Sequence, residues 1–184
     1  MLHDLILVFW FFWPGGLANL AAFYSGKLPY LKELSHPIDF NKKFRGKRIF
    51  GAHKTIRGFL VGILVATVTV SLEVYFYEHF SLVRDWISLD YSKLNPLLLG
   101  FLLGFGALAG DAIKSFFKRQ MDIPPGKSWF PFDQIDYIAG VIVFTAFYIQ
   151  LTMMQYILLC VMWFAIHPFS TVMGYFFKQR DEPL

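Results

Sequence analysis

The feature that most constrains this chain is a run of 41 residues, from Tyr137 to Phe177, without a single Asp, Glu, Lys or Arg. At about 1.5 Å per helical residue the run reaches roughly 60 Å, enough for two crossings of a hydrocarbon layer about 30 Å thick. Gln150, Thr152 and Gln155 gather near its middle and mark a turn between the two crossings. Three further apolar stretches precede it. Leu5 to about Ala22 is interrupted by Pro14-Gly15-Gly16 and Asn19, Gly58 to Tyr77 carries Glu73 as its one charge, and Pro96 to about Phe117 is uncharged until Asp111. The pattern predicts an all-α integral membrane protein with five transmembrane helices, built as one domain over residues 1–184. No repeat or low-complexity linker is visible.

Composition agrees. Charged residues make up 16% of the chain and the mean hydropathy is +0.48, where a soluble domain carries about a quarter charged residues. The net charge of +4 does not call for a nucleic-acid partner, because basic loops flanking apolar spans are what membrane topology produces. Cys160 is the one cysteine, so no internal disulfide forms. His3 and Asp4 stand where a secretory signal carries positive charge, so the first span is expected to be retained.

The connections set the orientation. Nine basic residues lie between spans one and two: Lys27, Lys32, Lys42, Lys43, Arg45, Lys47, Arg48, Lys54 and Arg57. The third connection adds Lys114, Lys118, Arg119 and Lys127, and the tail adds Lys178 and Arg180, while Arg84 and Lys93 alone fall on the other side. The positive-inside rule then places the N-terminus out, the C-terminus in, and both charged loops in the cytoplasm. A multi-pass protein of the cell membrane with a cytoplasm-facing polar site is the expectation.

The segment from Gly110 to Asp136, GDAIKSFFKRQMDIPPGKSWFPFDQID, carries the chemistry. If the third span continues as a helix, Asp111, Lys114, Ser115 and Lys118 fall at i, i+3, i+4 and i+7, on one face. A Pro-Pro-Gly turn follows, and Asp133 and Asp136 open the fourth span at i and i+3. Carboxylates at such a border suit Mg²⁺, a hard cation that keeps water and substrate phosphate in its shell. Lysines beside them suit a polyphosphate. Taken singly, Lys118 and Arg119 could be snorkelling anchors and Asp133 a helix cap. Asp111 resists that reading, since an ionisable group at the edge of an apolar span is costly without a partner.

The first inner loop, from Ser35 to Gly58, ends in GAHKTIRG. It offers Lys54 and Arg57 for phosphate and Thr55 for a hydroxyl contact, without the spacing of a Walker loop. A bland alternative is an electrostatic anchor for anionic lipid headgroups. Nothing in the spacing singles out Asp39 or Asn41. Asn19 either bonds a neighbouring helix or lines the cavity.

Together these residues resemble a known family. Ser115-x-x-Lys118-Arg119, then Pro-Gly, then Asp133-x-x-Asp136 is similar to the signature of the membrane CTP:phosphatidate cytidylyltransferases. The fuller pattern GDxxKSxxKR, PPG and PxDQxD resembles their small relatives, the CDP-archaeol synthases, as do PGGLAN, the HPIDFNKKFRGKRIFGAHKTIRG loop and the tail GYFFKQRDEP. Gln134 stands where the larger family usually has Arg. The resemblance implies transfer of CMP from CTP to a membrane lipid phosphate, 2,3-bis-O-geranylgeranylglycerol 1-phosphate or a similar one, releasing pyrophosphate. It implies Mg²⁺ held by Asp111, Asp133 and Asp136. Lys114, Lys118 and Arg119 would neutralise the transferring and leaving phosphates, and Lys54, Thr55 and Arg57 would secure phosphate from the opposite loop. Ser115 and Asn19 complete the expected substrate contacts. A phosphatidate-type enzyme making CDP-diacylglycerol is the nearest alternative. An anion or phospholipid transporter is the alternative of another class, and it would need charges in mid-span rather than at the border.

Overall fold

The computed structural model describes residues 1–27, 29–124, 127 and 129–176. Six α-helices dominate it: α1 (Leu2–Ser25), α2 (Ile56–His79), the short α3 (Ser81–Trp86), α4 (Pro96–Gln120), α5 (Phe132–Thr145) and α6 (Met153–Phe176). The departure from an all-helical chain is a small antiparallel hairpin, β1 (Lys43–Phe44) and β2 (Lys47–Arg48). By length and composition α1, α2 and α4 suffice to cross a membrane, and the apolar part of α6, Met153–Ala165, is shorter. At 14 residues α5 is about 21 Å long.

The helix ends follow from local chemistry. Thr55 caps α2 by accepting from the Gly58 N–H at 3.1 Å. Asn95 caps α4 by accepting from Leu97 and Leu98 at 3.0 and 3.1 Å, with Pro96 in the first turn where its missing N–H costs nothing. The 41-residue apolar run breaks between Thr145 and Met153, around the polar residues expected to divide it. There Thr152 and Gln155 form a reciprocal capping box, Gln155 N–H to Thr152 Oγ1 at 3.3 Å and Thr152 N–H to Gln155 Oε1 at 3.0 Å. Gln155 also donates to Asp4 at 3.1 Å, which ties the start of α6 to the start of α1. Pro14-Gly15-Gly16 leaves α1 a continuous helix, with Pro14 buried inside it.

Helix α4 is central. It packs against α1, α2 and α5, while α6 is held by α1 and α5. One apolar core runs between them, including Phe11 and Phe12 of α1, Val70 of α2, Leu99 and Leu103 of α4, Val141 of α5 and Trp163 of α6. The seam between α4 and α5 is closed by small residues, as membrane helix interfaces are. A Cβ at Gly106 would stand 2.9 Å from the Gly140 carbonyl oxygen, and one at Gly140 would overlap the Gly106 carbonyl outright. Gly110 lies against the backbone of Asp136 in the same way. Backbones this close bring the polar end of α4 against the first turns of α5.

The seam is testable by overpacking. Gly140→Ala should separate α4 from α5 at a cost of about 1–3 kcal/mol. The expected readout is an unfolding temperature in detergent several degrees below that of the parent. An unchanged melting temperature would contradict so close an approach.

Candidate functional site

Because α1, α2, α4 and α5 run through one bundle, the C-terminal ends of α1 and α4 lie with the N-terminal ends of α2 and α5. The face expected on α4 is present. Lys114 Nζ lies 3.1 Å from Asp111 Oδ1 on its own helix, and 3.1 Å from Asp133 Oδ1 and 2.5 Å from Asp136 Oδ2 on α5. Three carboxylates from two helices thus surround one ammonium group, whose side chain is 16% exposed. Lys118, also buried, reaches Asp133 Oδ2 at 3.2 Å and donates to the Lys127 carbonyl. From the opposite loop Lys54 pairs with Asp111.

Backbone groups fix the acids in place. The Trp129 N–H donates to Asp133 Oδ2 at 2.6 Å, and the Tyr137 N–H to Asp136 Oδ1 at 2.7 Å. Ser115 turns its hydroxyl back to the Asp111 carbonyl at 2.9 Å. A cavity of about 230 Å³ opens over this cluster, lined among others by His53, Lys54, Asp111, Lys114, Ser115 and Lys118. Arg119 stands between it and a second cavity of about 400 Å³, reached past Gly51 and Ala52. The Nε of Arg119 is buried without a hydrogen-bond partner among the described residues. It is a guanidinium with a donor to spare, at the junction of two spaces.

The remaining predicted residues lie elsewhere. The Thr55 hydroxyl is engaged as the α2 cap. Arg57 is buried beside the end of α1, with Nη1 3.5 Å from the Leu31 carbonyl and Nη2 facing Gly26. Asn19 is half-buried on α1. None of these three lines either cavity. Of the Pro-Pro-Gly turn, Pro125 and Gly126 fall outside the described residues, as do Lys178 and Arg180.

Sequence reasoning passed over Asp39, which organises the first loop. Its carboxylate is buried and accepts from Arg48 Nη2 at 2.7 Å, from the Asn41 N–H at 3.0 Å, and from the Phe50 and Gly51 N–H groups at 3.1 Å each. It thereby holds Gly51, which with Ala52 and Arg119 lines both cavities. The hairpin turn Arg45-Gly46, both at positive φ, had a legible signal in its x-Gly pair between short strands. The four donors of Asp39 come from residues whose meeting no spacing rule foretells.

Metal fit turns on the donor set. Among the described residues no three His, Cys, Asp or Glu side chains are gathered tightly enough to hold an ion by themselves. The three aspartates converge on Lys114 instead. Of the three, Asp111 lines the cavity, and Asp133 and Asp136 stand behind the lysines; such a set suits Mg²⁺, which commonly takes one or two carboxylates and completes its shell with water and substrate phosphate.

In class, then, this is a helical membrane protein with a buried carboxylate–ammonium cluster under a cation-lined cavity at one end of the bundle. The sequence model of the CarS-like family, described as CDP-archaeol synthase, matches residues 1–183. The CDP-archaeol synthase of Pyrobaculum islandicum is 31% identical over 181 residues, covering 98% of this chain and 99% of the relative. That of Methanopyrus kandleri is 32% identical over 177 residues, covering 95% and 90%. The fold is similar to that of a solved intramembrane enzyme for archaeal membrane lipids biosynthesis, with a TM-score of 0.63, 22% identity, and coverage of 89% of this chain and 92% of that one. The chain belongs to the CDP-archaeol synthase family.

The Asp39 hub has a pH signature. Burial raises its pKa, but the hydrogen bonds from Arg48 and from the Gly51, Phe50 and Asn41 amides outweigh burial and hold it at about 2, below the ordinary 3.8. A depressed carboxylate stabilises the fold above its unfolded pKa, and that contribution disappears as pH falls from about 4 towards 2. Asp39→Asn should therefore cost about 2 kcal/mol at neutral pH and flatten the acid limb of stability over that window. Denaturation in detergent as a function of pH measures both. Equal acid limbs in the two proteins would contradict the hub.

Proposed function

We propose that the chain transfers CMP from CTP to an archaeal lipid phosphate, giving a CDP-archaeol-type lipid and pyrophosphate. Family membership supports the reaction, and one observation carries its assignment to this site: Lys54, Asp111, Lys114 and Lys118 line one cavity, with Asp133 and Asp136 held against its lysines from α5. In the reaction an oxygen of the lipid phosphate forms a bond to the α-phosphorus of CTP, and the α–β bridging bond breaks, leaving its electron pair on pyrophosphate. A phosphate monoester is already ionised near neutral pH, so no strong general base is required. Catalysis then rests on positioning and charge.

The residues divide the work. Asp111, Asp133 and Asp136 would hold Mg²⁺, which when bound supplies positive charge to the triphosphate. Lys114 and Lys118 neutralise the phosphoryl group in transfer, and Lys54 meets it from the loop side. Arg119, with its unpaired Nε, receives charge growing on the leaving group. Ser115 steadies the backbone of Asp111. Arg57, away from the cavities, joins α1 to the loop.

The same reading orients the chain. Five crossings put the N-terminus outside and the charged end in the cytoplasm of a cell-membrane protein, where CTP arrives from solution. The lipid tails stay in the bilayer. In this arrangement α5 begins within the polar site, and the connection to α6 completes the fourth crossing.

Purified protein with CTP, Mg²⁺ and geranylgeranylated glycerol phosphate should release pyrophosphate and CDP-lipid, with phosphatidate as the comparison acceptor. Absence of CDP-lipid with either acceptor rejects the reaction. Asp133→Asn and Asp136→Asn should each lower turnover by about 100-fold or more, measured at a temperature where circular dichroism shows the variant still folded in detergent. Chelating the divalent ion should abolish turnover, and full activity under chelation would remove Mg²⁺ from the scheme.

A further inference from the structure

The hairpin of the first loop is a rigid projection whose tip the reaction does not use. Its base is fixed by Asp39, through Arg48 and three backbone N–H groups. Its second strand is fixed to the end of α4, because Lys47 pairs with Asp122 at 2.5 Å and donates to the Gln120 carbonyl at 2.8 Å. Gln120 in turn donates to the Arg48 carbonyl at 3.4 Å. The cations nearest α4 are thus neutralised within the protein.

The tip is different. Lys42, Lys43 and Arg45 are exposed, and none pairs with a carboxylate among the described residues. Phe44, 46% exposed, stands between Lys43 and Arg45, and Phe40, 65% exposed, stands next to Asp39 where the chain enters the hairpin. Arg45 takes the positive φ that its hairpin turn requires, and Phe40 also adopts positive φ, a conformation unusual for a bulky residue. Two phenyl rings facing water leave apolar surface unburied.

The rings lead somewhere. Phe44 packs on Phe116 of α4 with centroids 5.8 Å apart, and Phe116 packs on Phe117 at 5.4 Å. Phe117 and Ile113, 50% and 52% exposed, lie on the outward face of α4 near the charged end. A strip of apolar side chains therefore continues from the flank of a membrane helix to the hairpin tip. The Arg45 guanidinium lies over the Phe44 ring, 5.4 Å from its centroid, and rings and cations without a carboxylate are satisfied together in the boundary layer where aromatic side chains meet anionic headgroups.

We propose that the outer strand of the hairpin, from Phe40 to Arg45, docks on the anionic phosphate headgroups of the leaflet at the charged end of the bundle. Phe40 and Phe44 enter the interface, and Lys42, Lys43 and Arg45 bind phosphate there. The inference rests on membrane embedding and on the hairpin geometry, not on the proposed reaction, so its test needs no turnover.

The test uses the full chain in lipid nanodiscs. Cys160→Ser removes the native thiol, and Phe44→Cys or, separately, Phe40→Cys carries a polarity-sensitive probe, with Tyr30→Cys as a reference for a side chain 94% exposed. Phosphatidylcholine discs are compared with discs that also contain phosphatidylglycerol. Adding the anionic lipid should shift probe emission to the blue at both hairpin positions and reduce neutral-quencher access by about threefold or more. High salt should reverse the change, as should Lys42→Gln, Lys43→Gln and Arg45→Gln combined, with unchanged melting. Quenching equal to that at position 30 in both lipids overturns the docking, and protection indifferent to anionic lipid overturns the headgroup contact.

Discussion

The structure depends on how a bundle in an apolar medium accommodates Lys114. An ammonium group buried near the end of a membrane helix is tolerated only if carboxylates meet it at contact distance, and three do. Two of the three belong to α5, so the ion cluster requires α4 and α5 to touch at one end. The glycine seam supplies that contact. Side chains on Gly106, Gly110 or Gly140 would hold the backbones apart and leave Asp133 and Asp136 beyond reach of Lys114. Packing and electrostatics are here one constraint, met by small residues on one side of α4 and by charge at its end.

The cluster also explains how the site can await its substrates. Asp111 faces both Lys54 and Lys114, and Asp133 faces both Lys114 and Lys118. Asp136 meets Lys114 alone, and three acids stand against the three lysines, so the cluster is close to neutral as it stands. A triphosphate with its divalent ion brings both signs of charge, which permits exchange of partners rather than separation of ions. Under the proposed reaction the carboxylates would hold the cation and the ammonium groups the phosphates. Arg119 is the exception, with no carboxylate pairing among the described residues, and it lies where the two cavities meet.

Much of this arrangement was legible in the sequence because it follows helical periodicity. Asp111, Lys114, Ser115 and Lys118 share a face by spacing alone, and the carboxylates of α5 are in its first two turns for the same reason. The division of the 41-residue apolar run at Thr152 and Gln155 followed from their polarity, and the capping box gives the physical cause. The first loop was not legible to the same depth. Lys54, Thr55 and Arg57 are neighbours in sequence, yet only Lys54 reaches the cluster. Thr55 is spent on the helix cap and Arg57 points to the end of α1. Where one helix starts decides which of three adjacent side chains faces the site, and periodicity cannot be applied before that start is known.

Asp39 shows the other limit of sequence reading and connects the loop to the site. A buried carboxylate stays ionised only where donors replace its water, and this one has four, three of them backbone amides. Backbone donors leave no mark in a sequence, since every residue except proline carries one. By binding Phe50 and Gly51 the carboxylate sets the wall of both cavities, and by binding Arg48 it withdraws one cation from the substrate side. The loop therefore does not act as a diffuse basic patch. Its charges are sorted: Lys54 turns to the carboxylates, Lys47 and Arg48 are neutralised internally, and Lys42, Lys43 and Arg45 are left at the tip. That sorting separates the cation at the cavity from those on the exposed hairpin within one short connection.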